Sequence, residues 1–308
     1  MGSMTKVTDM TNAISGAVDE GDTVYLGGFT HLIPFAAGHE IIRQGYEDLH
    51  LVRATPDLVF DQLIAAGCAS SVTFSWAGNP GVGSLRAFRR AVEDGVPNEI
   101  AIDEYSHFGL VSRLFAGARD MPFAPLRSLV GSGLPEHNDH IRTVENPFDP
   151  DESVCVVPPL KPDVSIVRAQ RASPEGDAHI WGISGDVTDA AFAADTVVLA
   201  VEELVDTEAL RSDPNRTEIP GTVVDYVVEE PYGSHPSYTQ GYYGRDNDAY
   251  LDWNEVSESH ESTLEWLDEW VYGVDTRREY VEKLGVDRLL DLEPTHDYAE
   301  PIDMGRYA

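Results

Sequence analysis

"TVYLGGFTHLIPFAAGHEIIRQG" (residues 23–45) sets the architecture of this chain. An apolar run (24–26) ends in Gly27 and Gly28, and Phe29, a short loop, Pro34 and a helical pattern up to Gly45 follow. Strand, glycine turn and helix in that order open a parallel α/β sheet. Glycine after a strand lets a second backbone or a ligand approach where a Cβ would clash. Pro34 suits a helix start, where its missing N–H costs nothing. Backbone N–H groups at such a turn can hold an anion, although a turn that merely redirects the chain fits the same residues. The spacing is neither G-x-G-x-x-G nor G-x-x-x-x-G-K-[ST], so the dinucleotide fingerprint and the P-loop are absent.

The rhythm continues outward from this unit. A helix over 8–18 precedes it. Strands are expected at 49–54, 71–76 and 98–103, and helices at 58–67, 84–95 and 107–120. Leu85, Phe88, Ala91 and Val92 share one face of the helix that Gly95 ends. Residues 121–162, rich in proline and poor in periodic runs, read as a long ordered loop. Strands resume at 163–170, 196–204 and 221–229, and helices at 263–273 and 276–285. The fold class is therefore α/β, an open and largely parallel sheet.

The 308 residues, 42% hydrophobic and 9% aromatic, suffice for a substantial core. No apolar run approaches the ~20 residues of a membrane helix, and the start lacks a signal pattern, so a cytoplasmic location is expected. Asp and Glu number 54 against 21 Lys and Arg, a net charge of −33 spread along the chain. Only Lys6, Lys161 and Lys283 are lysines. Such a surface repels nucleic acid and anionic membranes. It suits a halophilic cytoplasm, where molar salt shortens the Debye length to about 3 Å. Cys68 and Cys155 read as small buried residues, and no Cys/His metal set is present. The opening MGSM has the form of a cloning remnant, with Met4 as an alternative start.

Four stretches carry polar chemistry. "DEYSHFG" (103–109) places the carboxylate pair Asp103 and Glu104 at a strand end with Ser106 and His107 adjacent, fit for acid–base work or simply for helix capping by Ser106 and solvated acids. "RSLVGSGL" (127–134) exposes backbone around Gly131 and Ser132, to hold a ligand or to turn. "QRASPEGDAHIWG" (170–182) is a hairpin turn, with His179 and Trp181 packed in the sheet. "PYGSHPS" (231–237) sets Tyr232, His235 and Pro236 in a loop that suits a cleft wall. Trp266, Leu267 and Trp270, at helical spacing, read as core or subunit interface.

Taken together, "LGGFT…P" (26–34), "EIIRQG" (40–45), "ENPFDP" (145–150), "AQRASPEGDAHIWG" (169–182), "RSDPNRTEIPG" (211–221), "EPYGSHPS" (230–237) and "KLGVDRLLDL" (283–292) run in one order over nearly the whole chain. In these the sequence resembles the A (alpha) subunits of class I, two-subunit CoA-transferases, most of all the glutaconate type. The resemblance implies a CoA-transferase α/β domain over 1–250 with a C-terminal helical extension over 251–308 packed on it. It implies an acyl-CoA and a carboxylic acid as substrates, no permanently bound cofactor, no metal, and a B (beta) subunit in a hetero-tetramer or hetero-octamer. Gly27, Gly28, Phe29 and Pro34 would flank CoA, with Ser106, Gly131, Ser132 and His235 toward the substrate. The nucleophilic glutamate of the ping-pong reaction would sit on the partner subunit. Relatives that open rings of CoA thioesters by hydrolysis use an acid at a strand end, matched here by Glu104, and a non-catalytic binding or scaffold subunit on the same fold is a third reading. The stretch "WAGNPGVGS" (76–84) departs from the glutaconate pattern near the expected acyl site, which leaves room for a 3-oxo acid or another dicarboxylic acid.

Overall fold

The computed structural model describes residues 6–294. The MGSM start and the last part of the expected helical extension (295–308) lie outside the described residues. The first half repeats strand and helix: α1 (Met10–Ala17), β1 (Thr23–Leu26), α2 (Phe35–Gln44), β2 (Leu49–Val52), α3 (Leu58–Ala65), β3 (Ala69–Phe74), α4 (Arg86–Asp94), β4 (Ala101–Glu104) and α5 (His107–Ala118). A small unit follows, with β5 (Ala124–Leu126), the helical turn α6 (Leu134–His137), β6 (Arg142–Asn146) and β7 (Asp149–Val157). The sheet resumes with β8 (Val164–Ala172), β9 (Ala178–His179), α7 (Val187–Ala193), β10 (Thr196–Leu204), α8 (Thr207–Arg211), β11 (Thr217–Ile219) and β12 (Tyr226–Glu229). The chain ends in α9 (Asn247–Val256), α10 (His260–Leu267), α11 (Arg277–Leu284) and α12 (Val286–Asp291).

β12, β10, β8, β1, β2, β3 and β4 pair in that order, all parallel. β9 runs antiparallel on the far end of β8, and β11 pairs with β9. From β1 the chain builds toward β4 on one side, then returns to add β8, β10 and β12 on the other. The junction of β1 and β8 is thus a topological switch point.

Alternation along the strands feeds two cores. Val24, Leu26, Val198 and Ala200 face one, with α2, α3 and α10. Tyr25, Val197, Leu199 and Val201 face the other, with α5 and α7. Cys68 and Cys155 are buried free thiols. On α4 the expected apolar face is only partly closed: Leu85 and Ala91 are buried, Phe88 is half-buried and Val92 is exposed.

The stretch 121–162 is not a loop. β5, β7 and β6 form an antiparallel three-stranded sheet. Its strands are hard to read because β6 is almost wholly exposed and shows no alternation. Pro125 sits on the edge strand β5, where a missing N–H is tolerated. The strand expected at 221–229 shrinks to β12, and 221–223 form a 3₁₀ turn. Among the described residues no helix is long and apolar enough to cross a membrane.

Candidate active site

The turn after β1 explains its glycines from within. The Gly27 N–H donates to Ile166 O at 2.9 Å, extending the β1–β8 ladder by one rung. Gly28 adopts φ +91°, and a Cβ there would sit 2.5 Å from His31 O and 2.8 Å from Leu32 O. The backbone that crowds Gly28 is therefore its own loop. Thr30 and Leu32 also take positive φ, +57° and +55°. A β-branched residue in that region is rare and persists only where its surroundings hold it. The left-handed residues thus alternate along the turn, and the N–H groups of residues 28–31 find no acceptor among the described residues. Successive free N–H groups in such a turn form an anion-binding concavity.

Side-chain contacts from two later loops hold the turn. Burial pushes the His31 imidazole down to about 4, so it is neutral at physiological pH. Its Nδ1 lies 3.0 Å from Ile183 O, which fixes Nδ1–H as the donor, and Nε2 accepts from the Gln240 N–H at 3.0 Å. Ser237 Oγ donates to Thr30 O at 2.8 Å. Gly185 packs against the turn, and its added Cβ would meet Phe29 Cβ at 3.1 Å.

Beside the turn lies a pocket of about 300 Å³. Phe29 and Thr30 line it after β1, Arg53, Thr55 and Asp57 after β2, Trp76, Pro80 and Gly81 after β3, and His107 at the start of α5. Phe29 and His107 meet edge to face with ring centres 6.1 Å apart. Arg53 donates through Nε to Gly28 O at 3.1 Å and through Nη1 to Asp57 Oδ1 at 3.1 Å. Both members of this ion pair are 1% exposed. Burial raises the Asp57 carboxyl, and Arg53 pulls it back. On the opposite core, Tyr25 Oη donates to Asp186 Oδ1 at 2.7 Å.

The residues named from the sequence scatter around this pocket. Phe29 lines it, while Gly27 and Gly28 form the adjoining backbone. Pro34 is buried at the start of α2, away from the lining. Glu104 is exposed at the end of β4, three residues before His107, and its carbonyl accepts from Asn138 Nδ2 at 2.9 Å. Ser106 caps α5, accepting from the Gly109 N–H at 3.0 Å. Gly131 and Ser132 are exposed in the turn after β5, where Ser132 Oγ donates to Leu129 O.

His235 lines a different cavity, of about 390 Å³, among the C-terminal helices. Its Nε2 lies 2.9 Å from Asp246 Oδ2 and its Nδ1 2.9 Å from Tyr280 Oη. Burial opposes ionisation of Asp246, but His235 and Arg288 together hold it down at about 2. Trp266 and Trp270 line the same cavity, and Leu267 is wholly buried. His179 is buried in β9, and Trp181 is half-buried. The sequence reading passed over Arg53, Thr55 and Asp57, whereas His107, which it named beside Ser106, does line the pocket. A signal existed at Arg53, a charge closing an apolar strand.

Residues 7–230 match the family model described as Coenzyme A transferase. The chain belongs to this family. It is 47% identical over 281 residues to the A (alpha) subunit of 3-oxoadipate CoA-transferase from Pseudomonas knackmussii, covering 91% of this chain and 99% of that one. It is 35% identical over 318 residues to the A (alpha) subunit of glutaconate CoA-transferase from Acidaminococcus fermentans, covering 98% of both. The crystal structure of glutaconate coenzyme A-transferase from that organism superposes with a TM-score of 0.92, over 97% of this CoA-transferase chain and 99% of the other.

Proposed function

We propose that this chain is the A (alpha) half of a two-subunit enzyme that moves CoA between an acyl-CoA and a carboxylic acid, the acid being a 3-oxo dicarboxylate of the 3-oxoadipate type. The identity of 47% along 99% of the corresponding 3-oxoadipate CoA-transferase chain carries this reading. The resemblance supplies the chemistry. A glutamate carboxylate on the B (beta) chain attacks the thioester carbonyl and CoA leaves as thiolate, giving a mixed anhydride. The thiolate then attacks the glutamyl carbonyl and releases the first acid, leaving a glutamyl-CoA thioester. A second acid repeats the two steps in reverse and departs with CoA. Each attack puts negative charge on a carbonyl oxygen. The open N–H groups of Gly28, Phe29, Thr30 and His31 are this chain's means of holding it. Two buried thiols fit a reducing cytoplasm. The assembly would be a hetero-tetramer or hetero-octamer with the site at the interface between the two kinds of chain.

The test is one assay of the chain purified with its beta partner in molar KCl, following acyl-CoA loss with and without an acceptor acid. Loss that requires both chains and an acceptor is the expected result. Loss without acceptor would instead favour hydrolysis through Glu104, which stands exposed at the end of β4 close to pocket-lining His107.

A further inference from the structure

Arg53 carries five N–H donors on one guanidinium. Nε is committed to Gly28 O and Nη1 to Asp57. Nη2 is buried and has no partner. Two residues on, Thr55 is 8% exposed, and its buried hydroxyl also has no partner. Both side chains line the pocket beside the turn. Buried polar groups are almost always hydrogen-bonded, and an orphaned donor on a charged group is the costlier kind. Asp57 Oδ2 on the same wall is a third buried atom without a partner, an acceptor; the two that can donate, Arg53 Nη2 and Thr55 Oγ1, call for a shared acceptor. Arg53 can only donate, and Thr55 can donate, so the matching group is an anionic oxygen. The rest of the wall is largely apolar, from Phe29, Trp76 and Pro80, which suits a short methylene chain.

We propose that Arg53 Nη2 and Thr55 Oγ1 bind the far carboxylate of a dicarboxylic acyl chain whose near end carries the thioester, a subsite that rests on the transfer reading above. Charge makes such a subsite necessary. A carboxylate entering this pocket meets repulsion from the buried Asp57 carboxylate at short range, where salt screens least. A fixed guanidinium on the pocket wall offsets that repulsion where the acid must sit. Asp57 neutralises part of Arg53, but Arg245, which donates to Pro80 O at 2.8 Å on the same wall, adds a second cation. Donor and acceptor acids both pass through the same acyl position in a ping-pong exchange, so one subsite serves both.

The experiment uses the complex with its beta partner and two matched pairs. Adipate and hexanoate are compared as acceptors, and succinyl-CoA and butyryl-CoA as donors. The wild type should prefer the dicarboxylic member of each pair in kcat/KM. Thr55→Val should lower that preference about tenfold or more, chiefly through KM, because one hydrogen bond to a charged group is lost. The Arg53→Met/Asp57→Asn double variant removes both ends of the buried pair, so no orphaned charge is left to unfold it, and it should lower the preference further. A wild type indifferent between pair members, or a Thr55→Val variant with its preference intact, overturns the subsite and leaves Arg53 and Thr55 to a buried water. Melting of the complex with adipate or hexanoate present gives a readout free of turnover. Stabilisation by adipate alone, lost in Thr55→Val, upholds the subsite even if no CoA transfer is seen; absence of transfer to every acid refutes the transferase reading instead.

Discussion

Gly28 offers the sharpest test of the turn. Replacing it with alanine adds one methyl group at φ +91°, 2.5 Å and 2.8 Å from two carbonyl oxygens of the same loop. The left-handed backbone costs an alanine about 1–2 kcal/mol. Displacing two carbonyls adds the penalty typical of overpacking, about 1–3 kcal/mol. Two other glycines separate these contributions. Gly45 has φ +73° with nothing within 4 Å of its added Cβ, so Gly45→Ala carries the backbone cost alone. At Gly27 the added Cβ would meet Val187 Cγ1 at 3.2 Å and Ile166 O at 3.3 Å, with no positive φ, so Gly27→Ala carries a mild contact cost alone. Thermal melting of the two-chain complex should rank Gly28→Ala lowest, by roughly 4–10 °C at about 2 °C per kcal/mol for a chain of this size. Its kcat should fall about 100-fold or more, because moving the turn misplaces oxyanion donors, whereas Gly45→Ala keeps wild-type kcat. A Gly28→Ala complex that melts with Gly45→Ala and turns over normally would refute both the crowding and the role of the turn.

His31 should make the complex acid-sensitive. Its folded pKa of about 4 lies below the ordinary 6.5, so the unfolded chain binds a proton that the folded chain refuses. Stability from this group is full above pH 6.5 and is lost as pH falls toward 4, by about 3 kcal/mol; denaturant melts from pH 7 to pH 4 should show that slope flattened in His31→Gln. Trp253 Nε1 donates to buried Asp61 at 2.9 Å, and burial lifts that carboxyl to about 6. Trp253→Phe should therefore cost about 1.5–3 kcal/mol at pH 7.5, where Asp61 is ionised, and less near pH 4, where it is protonated. The −33 charge predicts a melting temperature that rises from 0.1 M to molar KCl; equal melts at the two salt concentrations would refute the halophilic reading.

Where the sequence was legible, a periodic signal coincided with burial. The strands around β1 and the helix ends at Gly45 and Gly95 read directly, because strand burial and left-handed C-caps leave marks on residue type. β6 left no such mark, because it pairs in a sheet yet stays wet. Gly28 was legible as a glycine that needs room, but what fills that room is set by Thr30 and Leu32, whose left-handed backbone no propensity foretells. Arg53 was missed for a related reason. Inside an apolar run it reads as a strand residue, and only the fold brings Gly28 O and Asp57 to its two nitrogens.

The shared duty of Arg53 constrains how this protein can diverge. One side chain braces the turn of β1, neutralises Asp57 and borders the acyl pocket. A single exchange at position 53 strands a buried carboxylate and frees the Gly28 carbonyl at once, so it is a poor first step for a lineage that takes on a new acid. Positions 53 and 57 are expected to change together among descendants, with compensation in the 27–32 turn. A mutational scan scored on both folding and substrate preference should find these positions strongly epistatic, whereas Trp76, which borders the same pocket with no hydrogen bond to the turn, should vary independently.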